Sequence, residues 1–71
     1  MSAPKFAFEQ RVRAVRGPGK ALQPEPEHVG KIGTIVAVNL HPDMETDYTV
    51  QFYRHGKPSL DLIDESCLEA V

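Results

Sequence analysis

The amino-acid sequence predicts an all-β protein, a small and strongly bent barrel built from five short strands. Three observations lead to this prediction. Apolar and polar residues alternate in several short runs, glycine and proline interrupt the chain repeatedly, and no segment keeps the 3.6-residue apolar period of an amphipathic helix. With 71 residues, the chain is expected to form one domain around a compact core.

The N-terminal segment is expected to form an arm over residues 1–9, with the barrel domain over residues 10–71. Pro4 discourages regular structure in this arm. Phe6 and Phe8 are two residues apart, so in an extended chain they lie on the same face and can hold the arm against the barrel.

The first strand is predicted at residues 10–16, which read QRVRAVR. Val12 and Ala14 lie on one face of this strand and Arg11 and Arg13 on the other, because successive side chains point to opposite sides. The segment that follows, GPGKALQPEPEHVG, is too rich in glycine and proline for a helix or a central strand. It is predicted to be a long Pro-rich loop.

The second strand is predicted in KIGTIVAVNL, which is apolar on both faces and is therefore buried or sharply bent. Gly33 inside it indicates a bulge or a close backbone approach. The third strand is YTVQFYR, where Tyr48, Val50 and Phe52 are expected to face inward and Tyr53 outward.

The C-terminal part completes the predicted barrel. HGKP is a tight turn, SLDLI is the fourth strand, DESC is a single 3-10 turn that Asp64 can cap, and LEAV is the last strand. This order of elements is typical of SH3-like barrels. The predicted inner set is Val12, Ala14, Ile32, Val36, Val38, Tyr48, Val50, Phe52, Leu60, Leu62 and Leu68.

Composition favours a soluble protein of the reducing cytoplasm. The chain has one cysteine, Cys67, whereas a secreted domain of this size usually carries several disulfides. No stretch approaches the roughly 20 apolar residues that a membrane span needs. We therefore expect no membrane association.

Charge is distributed unevenly and predicts a binding surface for a protein partner. Residues 1–20 contain five basic residues and one acidic residue, whereas residues 21–71 contain three basic and nine acidic residues. Arginine and tyrosine are enriched at binding hot spots, and an acidic partner surface would complement the basic strand. The predicted partner-binding residues are Arg11, Arg13, Arg16, Lys20, Lys31, Tyr53 and Arg54.

No catalytic residue, metal ligand or cofactor site is predicted. The three histidines, His28, His41 and His55, fall in predicted loops or turns without a metal-binding spacing. Cys67 has acidic neighbours, which disfavour a reactive thiolate, so it is expected to pack beneath the final turn.

The segments RVRAV, VGKIGTIVAV, YTVQF and DLIDESCLEAV, with the Pro-rich loop between the first two, carry a resemblance to a known family. In this order they resemble the C-terminal SH3-like domain of the nitrile hydratase beta subunit, over roughly residues 8–71. The same barrel resembles the electron-transport accessory proteins, which include a photosystem I component and the ferredoxin-thioredoxin reductase variable chain. The resemblance implies a supporting role, in which the barrel packs on a partner that carries the metal or redox centre.

The sequence therefore predicts a non-catalytic accessory subunit or adaptor that docks on a larger enzyme or redox partner. Two alternatives stay open. A nucleic-acid-binding module would use the basic residues along a phosphate backbone and Tyr53 as a stacking face. An enzyme assembled only by homo-oligomerisation is the other alternative.

Overall fold

The computed structural model describes residues 3–19 and 22–71, which form five antiparallel β-strands and two short 3-10 turns. The strands are β1 (Arg11–Ala14), β2 (Ile32–Asn39), β3 (Asp47–Arg54), β4 (Lys57–Asp64) and β5 (Leu68–Ala70), and the 3-10 turns are Pro26–His28 and Glu65–Cys67. These two ranges contain no α-helix, and hence no helix of the length and apolar character that a bilayer crossing requires.

All five strands belong to one sheet with the order β4-β3-β2-β1-β5. The predicted all-β class, the long loop after the first strand and the 3-10 turn before the last strand are confirmed. Asp64 caps that turn, because its carboxylate accepts the backbone N–H of Ser66 at 2.9 Å. The strand pairings leave the sheet open, since β4 and β5 are its two edges. These pairings therefore do not close the sheet into the predicted barrel.

The core lies on one side of the sheet and agrees with much of the predicted inner set. Val12, Ala14, Tyr48, Val50, Phe52 and Leu68 are buried as predicted, and Val38 packs against them. Phe6, Ile35, Ile63 and Cys67 complete the core. Cys67 is a free thiol packed beneath the final turn, as expected.

The prediction that Ile32 faces the core was wrong, and the pairing of β2 with β1 explains why. Gly33 pairs with the buried Val12, so Ile32 lies opposite Arg13 on the outward side. The register of β2 with β3 then shifts between Ile35 and Ala37, as in a β-bulge, and Val36 within the shift is only half-buried. Because of this shift, neither the odd-numbered nor the even-numbered positions of β2 are buried along the whole strand.

The prediction that Leu60 and Leu62 face the core was also wrong. In β4, Ile63 pairs with the buried Tyr48, and side chains alternate along a strand, so both leucines point away from the core. The inward positions of β4 are held by Ile63 and by the carboxylate of Asp61.

A glycine is required at position 33, where β2 lies very close to its neighbouring strand β3. A Cβ atom at this position would lie 2.7 Å from Cγ1 of Val50 and 2.8 Å from the carbonyl oxygen of Gln51. The predicted close backbone approach is therefore confirmed, and only a residue without a side chain fits there.

The N-terminal arm is held to the sheet by Phe6. Its ring packs edge-on against Tyr48, with ring centroids 5.5 Å apart, and its backbone N–H donates to the Tyr48 hydroxyl at 3.1 Å. The hydroxyl in turn donates to Oε2 of Glu65 at 2.5 Å, and the same oxygen accepts the backbone N–H of Lys5. Phe8, by contrast, is 62% exposed.

This network predicts an alkaline titration that differs from that of an ordinary tyrosine. Burial, together with the hydrogen bond to the Glu65 carboxylate, raises the pKa of Tyr48 from 10.0 to about 12. The neutral phenol therefore stabilises the fold fully below pH 10, and this stabilisation is lost as the pH rises through about 12.

The measurement is tyrosinate absorbance in a Tyr53→Phe variant, where Tyr48 is the remaining tyrosine. We expect a midpoint of about 12 while circular dichroism still reports the folded sheet. A midpoint near 10.0 in the folded protein would contradict the described network.

Candidate functional site

The outward side of β1–β4, opposite the core, carries a set of exposed apolar side chains, and we call it the outer face. Ile32, Tyr53, Leu60 and Leu62 are 40%, 72%, 62% and 48% exposed. Single exposed apolar residues are ordinary on protein surfaces, but adjacent ones mark interaction sites. Whether these four side chains are adjacent therefore decides whether they mark an interaction site.

The strand register places these side chains next to one another. Leu60 and Leu62 are two residues apart on β4 and so share a face. Tyr53 on β3 pairs with Pro58, which puts Leu60 on the diagonal beside the tyrosine, within reach of a long side chain. Ile32 lines the same groove as Tyr53. The outer face therefore carries a continuous apolar patch.

Basic residues of β1 border this patch. Arg11 pairs with Thr34, Thr34 with Gln51 and Gln51 with Leu60, so one row crosses four strands from an arginine to a leucine. Arg13, opposite Ile32, forms an ion pair with Glu69 of β5 at 3.3 Å. Within residues 3–19 and 22–71, Arg11 makes no ion pair.

The remaining predicted partner-binding residues lie in different parts of the structure. Arg16 is exposed just beyond β1, and Lys20 lies outside the described residues. Lys31, Tyr53 and Arg54 line a common groove at the end of β3, beside the outer face.

This groove, which we call the basic groove, has a volume of about 410 Å³ and lies between the Pro26–His28 turn and the end of β3. Its walls are Glu27, His28, Lys31, Ile32, Phe52, Tyr53, Arg54 and His55. An ion pair between Arg54 and Glu27 joins the two sides.

The turn after β3 sets one wall of the basic groove. His55 and Gly56 both have positive φ, at 53° and 77°, as a two-residue hairpin turn of type I′ requires. A tight turn is confirmed here, but it comprises His55 and Gly56, since Lys57 and Pro58 of the predicted HGKP turn belong to β4. His55 lines the groove beside Arg54.

One lining residue of the basic groove, His28, forms a buried pair of polar side chains with Asp61 of β4. Nδ1 of His28 lies 2.8 Å from Oδ2 of Asp61, and the two side chains are only 4% and 8% exposed. The same carboxylate oxygen accepts the backbone N–H of Glu25 at 2.8 Å. The imidazole also stacks almost parallel on Phe52, with centroids 4.2 Å apart.

The hydrogen bonds of this pair indicate which ring nitrogen of His28 carries the hydrogen. Because the carboxylate of Asp61 accepts, Nδ1 of His28 carries a hydrogen and donates it. Nε2 is buried and has no hydrogen-bond partner among the described residues. The pair holds the 3-10 turn onto β4 and thereby positions the neighbouring Glu27 and Lys31 on the groove wall.

Sequence reasoning misses this pair because His28 falls in a segment that is predicted to be an ordinary loop. The available signal is Asp61, a carboxylate between two leucines in a strand. Once Ile63 is assigned to the core, alternation places Asp61 on the inward side, where a carboxylate needs a buried donor.

A second polar cluster lies at the opposite end of β3. Asp47 is buried and accepts hydrogen bonds from Asn39 at 2.9 Å, with Nε2 of His41 at 2.7 Å from its other oxygen. Across residues 3–19 and 22–71, no three histidine, cysteine, aspartate or glutamate side chains are grouped so that they could hold a metal ion.

A scan against protein-family models, a search of curated proteins and a search of solved structures each find no match to this chain. The resemblance to the nitrile hydratase beta subunit and to electron-transport accessory proteins therefore stays a prediction from the sequence.

Proposed function

We propose that this protein is a non-catalytic accessory subunit or adaptor that docks on a larger protein through its outer face. The observation that supports this most is the continuous apolar patch of Ile32, Tyr53, Leu60 and Leu62. Fully burying one such side chain stabilises a complex by about 1.5–3 kcal/mol. Four adjacent side chains are enough for the centre of an interface.

The position of the patch strengthens the proposal. Leu60 and Leu62 lie on β4, an edge strand, and an apolar edge strand without a cover is an aggregation hazard. Proteins usually protect such an edge. Docking on a partner would cover both leucines, which accounts for apolar side chains at a place where charged ones are usual.

Charge indicates the kind of partner. Arg11 borders the patch without an ion pair in the described ranges, and Lys31 and Arg54 stand at its other end. A partner surface with acidic residues around an apolar centre would complement this arrangement and orient the encounter.

We further propose that the sheet is an SH3-like barrel of the type found in the nitrile hydratase beta subunit and the electron-transport accessory proteins. The order with β5 beside β1, the bulge in β2 and the 3-10 turn before β5 support this assignment. In those families the barrel packs on a partner that carries the metal or redox centre, and we propose the same role here, in the cytoplasm.

The test is copurification of the tagged protein from its native host. We expect a larger protein to be recovered at a stoichiometric level with the native sequence. A double variant, Tyr53→Ala with Leu60→Ser, should reduce its recovery more than about tenfold, because hot-spot residues contribute about 2 kcal/mol or more each.

The matched control is Leu40→Ser, which removes a similarly exposed leucine from the β2–β3 connection, away from the outer face. This control should retain the partner. Equal loss in the control and the double variant would contradict the proposal.

A nucleic-acid-binding module is the main alternative. It predicts salt-dependent binding to single-stranded oligonucleotides that is lost when Arg11 and Arg13 are both replaced by alanine. An enzyme formed by homo-oligomerisation predicts instead an activity confined to the purified homo-oligomer. Either result without a copurifying protein would replace the adaptor proposal.

A further inference from the structure

The basic groove contains an internal contact that resembles the contact a ligand would make. Glu27 on the 3-10 turn places its carboxylate against the guanidinium of Arg54 on β3, and both side chains are about half exposed. An exposed ion pair of this kind contributes little to stability, because water and salt screen it, and it opens readily. Arg54 is thus available to a competing carboxylate.

Two more nitrogen-bearing side chains line the same groove. Lys31 and His55 make no ion pair among the described residues. Besides the buried His28, one internal carboxylate therefore stands among the guanidinium of Arg54, the ammonium of Lys31 and the exposed imidazole of His55. The groove has an excess of donors, which is the arrangement expected of a site for an anion.

The shape of the site is fixed by parts that do not depend on the ion pair. The buried His28–Asp61 pair anchors the 3-10 turn that carries Glu27, and the backbone N–H of Lys31 donates to the His28 carbonyl oxygen at 2.9 Å. The type I′ turn fixes His55. Tyr53 forms an exposed aromatic wall beside the cations. A volume of about 410 Å³ accommodates one or two amino-acid side chains, not a second domain.

We propose that the basic groove binds an aspartate or glutamate side chain of the partner, which displaces Glu27 from Arg54 and is shared with Lys31 and His55. This inference rests on the proposed function, since it names the chemical group by which the partner is recognised. Glu27 then acts as an internal competitor that weakens binding of unrelated anions.

An acidic peptide is favoured over a nucleic acid by two observations. The contact already present in the groove is a carboxylate on a guanidinium, which shows that this geometry fits. The protein also has a net charge of -2, which disfavours the long-range attraction that phosphate backbones require.

The experiment is an NMR titration of the ¹⁵N-labelled protein with a capped tetrapeptide, acetyl-Gly-Asp-Glu-Gly-amide. Its uncharged counterpart, acetyl-Gly-Asn-Gln-Gly-amide, serves as the ligand control. We expect saturable amide shifts at Lys31, Arg54 and His55 with the acidic peptide alone. Lys31→Ala should weaken this binding about threefold to tenfold, the range of one exposed charge pair.

Glu27→Gln provides the decisive variant, because it removes the internal competitor. We expect it to tighten peptide binding about threefold to tenfold. Glu69→Gln is the matched control, since it removes the same charge from the Arg13–Glu69 ion pair outside the groove. Equal tightening in both variants would reflect net charge alone and would overturn the proposal.

Two other results would also overturn the proposal. One is the absence of peptide-induced shifts at the groove. The other is binding of a short oligothymidylate at these residues in place of the peptide. Neither result decides the outer-face proposal, because Leu60, unlike Tyr53, does not line the basic groove and therefore tests docking on the outer face separately.

Discussion

Replacing Asp61 by alanine is expected to lower the free energy of unfolding by about 3–5 kcal/mol, because it breaks a buried polar pair and leaves its partner without compensation. Both Nδ1 of His28 and the backbone N–H of Glu25 lose their acceptor. A domain of this length is stabilised by roughly 4–10 kcal/mol in total. The variant should therefore be partly unfolded at ambient temperature or show a greatly reduced urea midpoint.

The matched control for this variant is Asp43→Ala. Asp43 is exposed in the β2–β3 connection, so its replacement removes the same charge and should change the stability by less than about 0.5 kcal/mol. A double variant that also carries His28→Ala should be less destabilised than the sum of the two single variants, because the two residues share one interaction. Additive losses, or a loss no larger than that of the control, would show that the pair is not buried as described.

Replacing Phe6 by alanine is expected to cost about 3–5 kcal/mol, the usual range for a buried phenylalanine. Phe6 is 4% exposed and packs against Tyr48, so its removal leaves a cavity at the junction of the arm and the sheet. The arm should then detach, and the pKa of Tyr48 should fall from about 12 as water reaches its hydroxyl.

Phe8→Ala is the control for the arm, because Phe8 lies two residues further along and is mostly exposed. We expect a change below about 0.5 kcal/mol on chemical denaturation. Equal effects at both positions would mean that the arm has no fixed attachment. A small effect of Phe6→Ala would mean that the sheet is stable without the arm.

The fold is predictable from the sequence where alternation is regular. In β3, Tyr48, Val50 and Phe52 alternate with polar residues, and the structure confirms their inward position. In β4 the same rule leads to the wrong parity, because two leucines outweigh Ile63. Hydrophobicity alone cannot choose between faces when the outward residues are the larger apolar set.

The candidate site is predictable in its residue types but not in its assembly. Tyr53, Arg54 and Lys31 are predicted at an interface, and the structure brings these three to one groove. Nothing in the sequence indicates that Glu27 reaches Arg54, because the contact joins a loop to a strand 27 residues away. The His28–Asp61 pair is likewise a contact between distant segments, and no local pattern encodes it.

The outward orientation of Leu60 and Leu62 on β4 also changes the functional interpretation. With Leu60 and Leu62 in the core, the predicted binding surface consists of basic residues and one tyrosine and has no aliphatic centre. With both leucines exposed, the outer face acquires an apolar centre with basic residues at its borders. Such a composition is more typical of a protein interface than of a phosphate-binding surface.

The central claim, that the outer face is covered by a protein partner, is tested most directly by site-specific photocrosslinking in the native host. A photoreactive phenylalanine derivative replaces Leu60 in one variant and Leu40 in another. We predict that position 60 crosslinks to one larger protein and that position 40 does not. Equal crosslinking from both positions, or crosslinking of position 60 to nucleic acid alone, would contradict the claim.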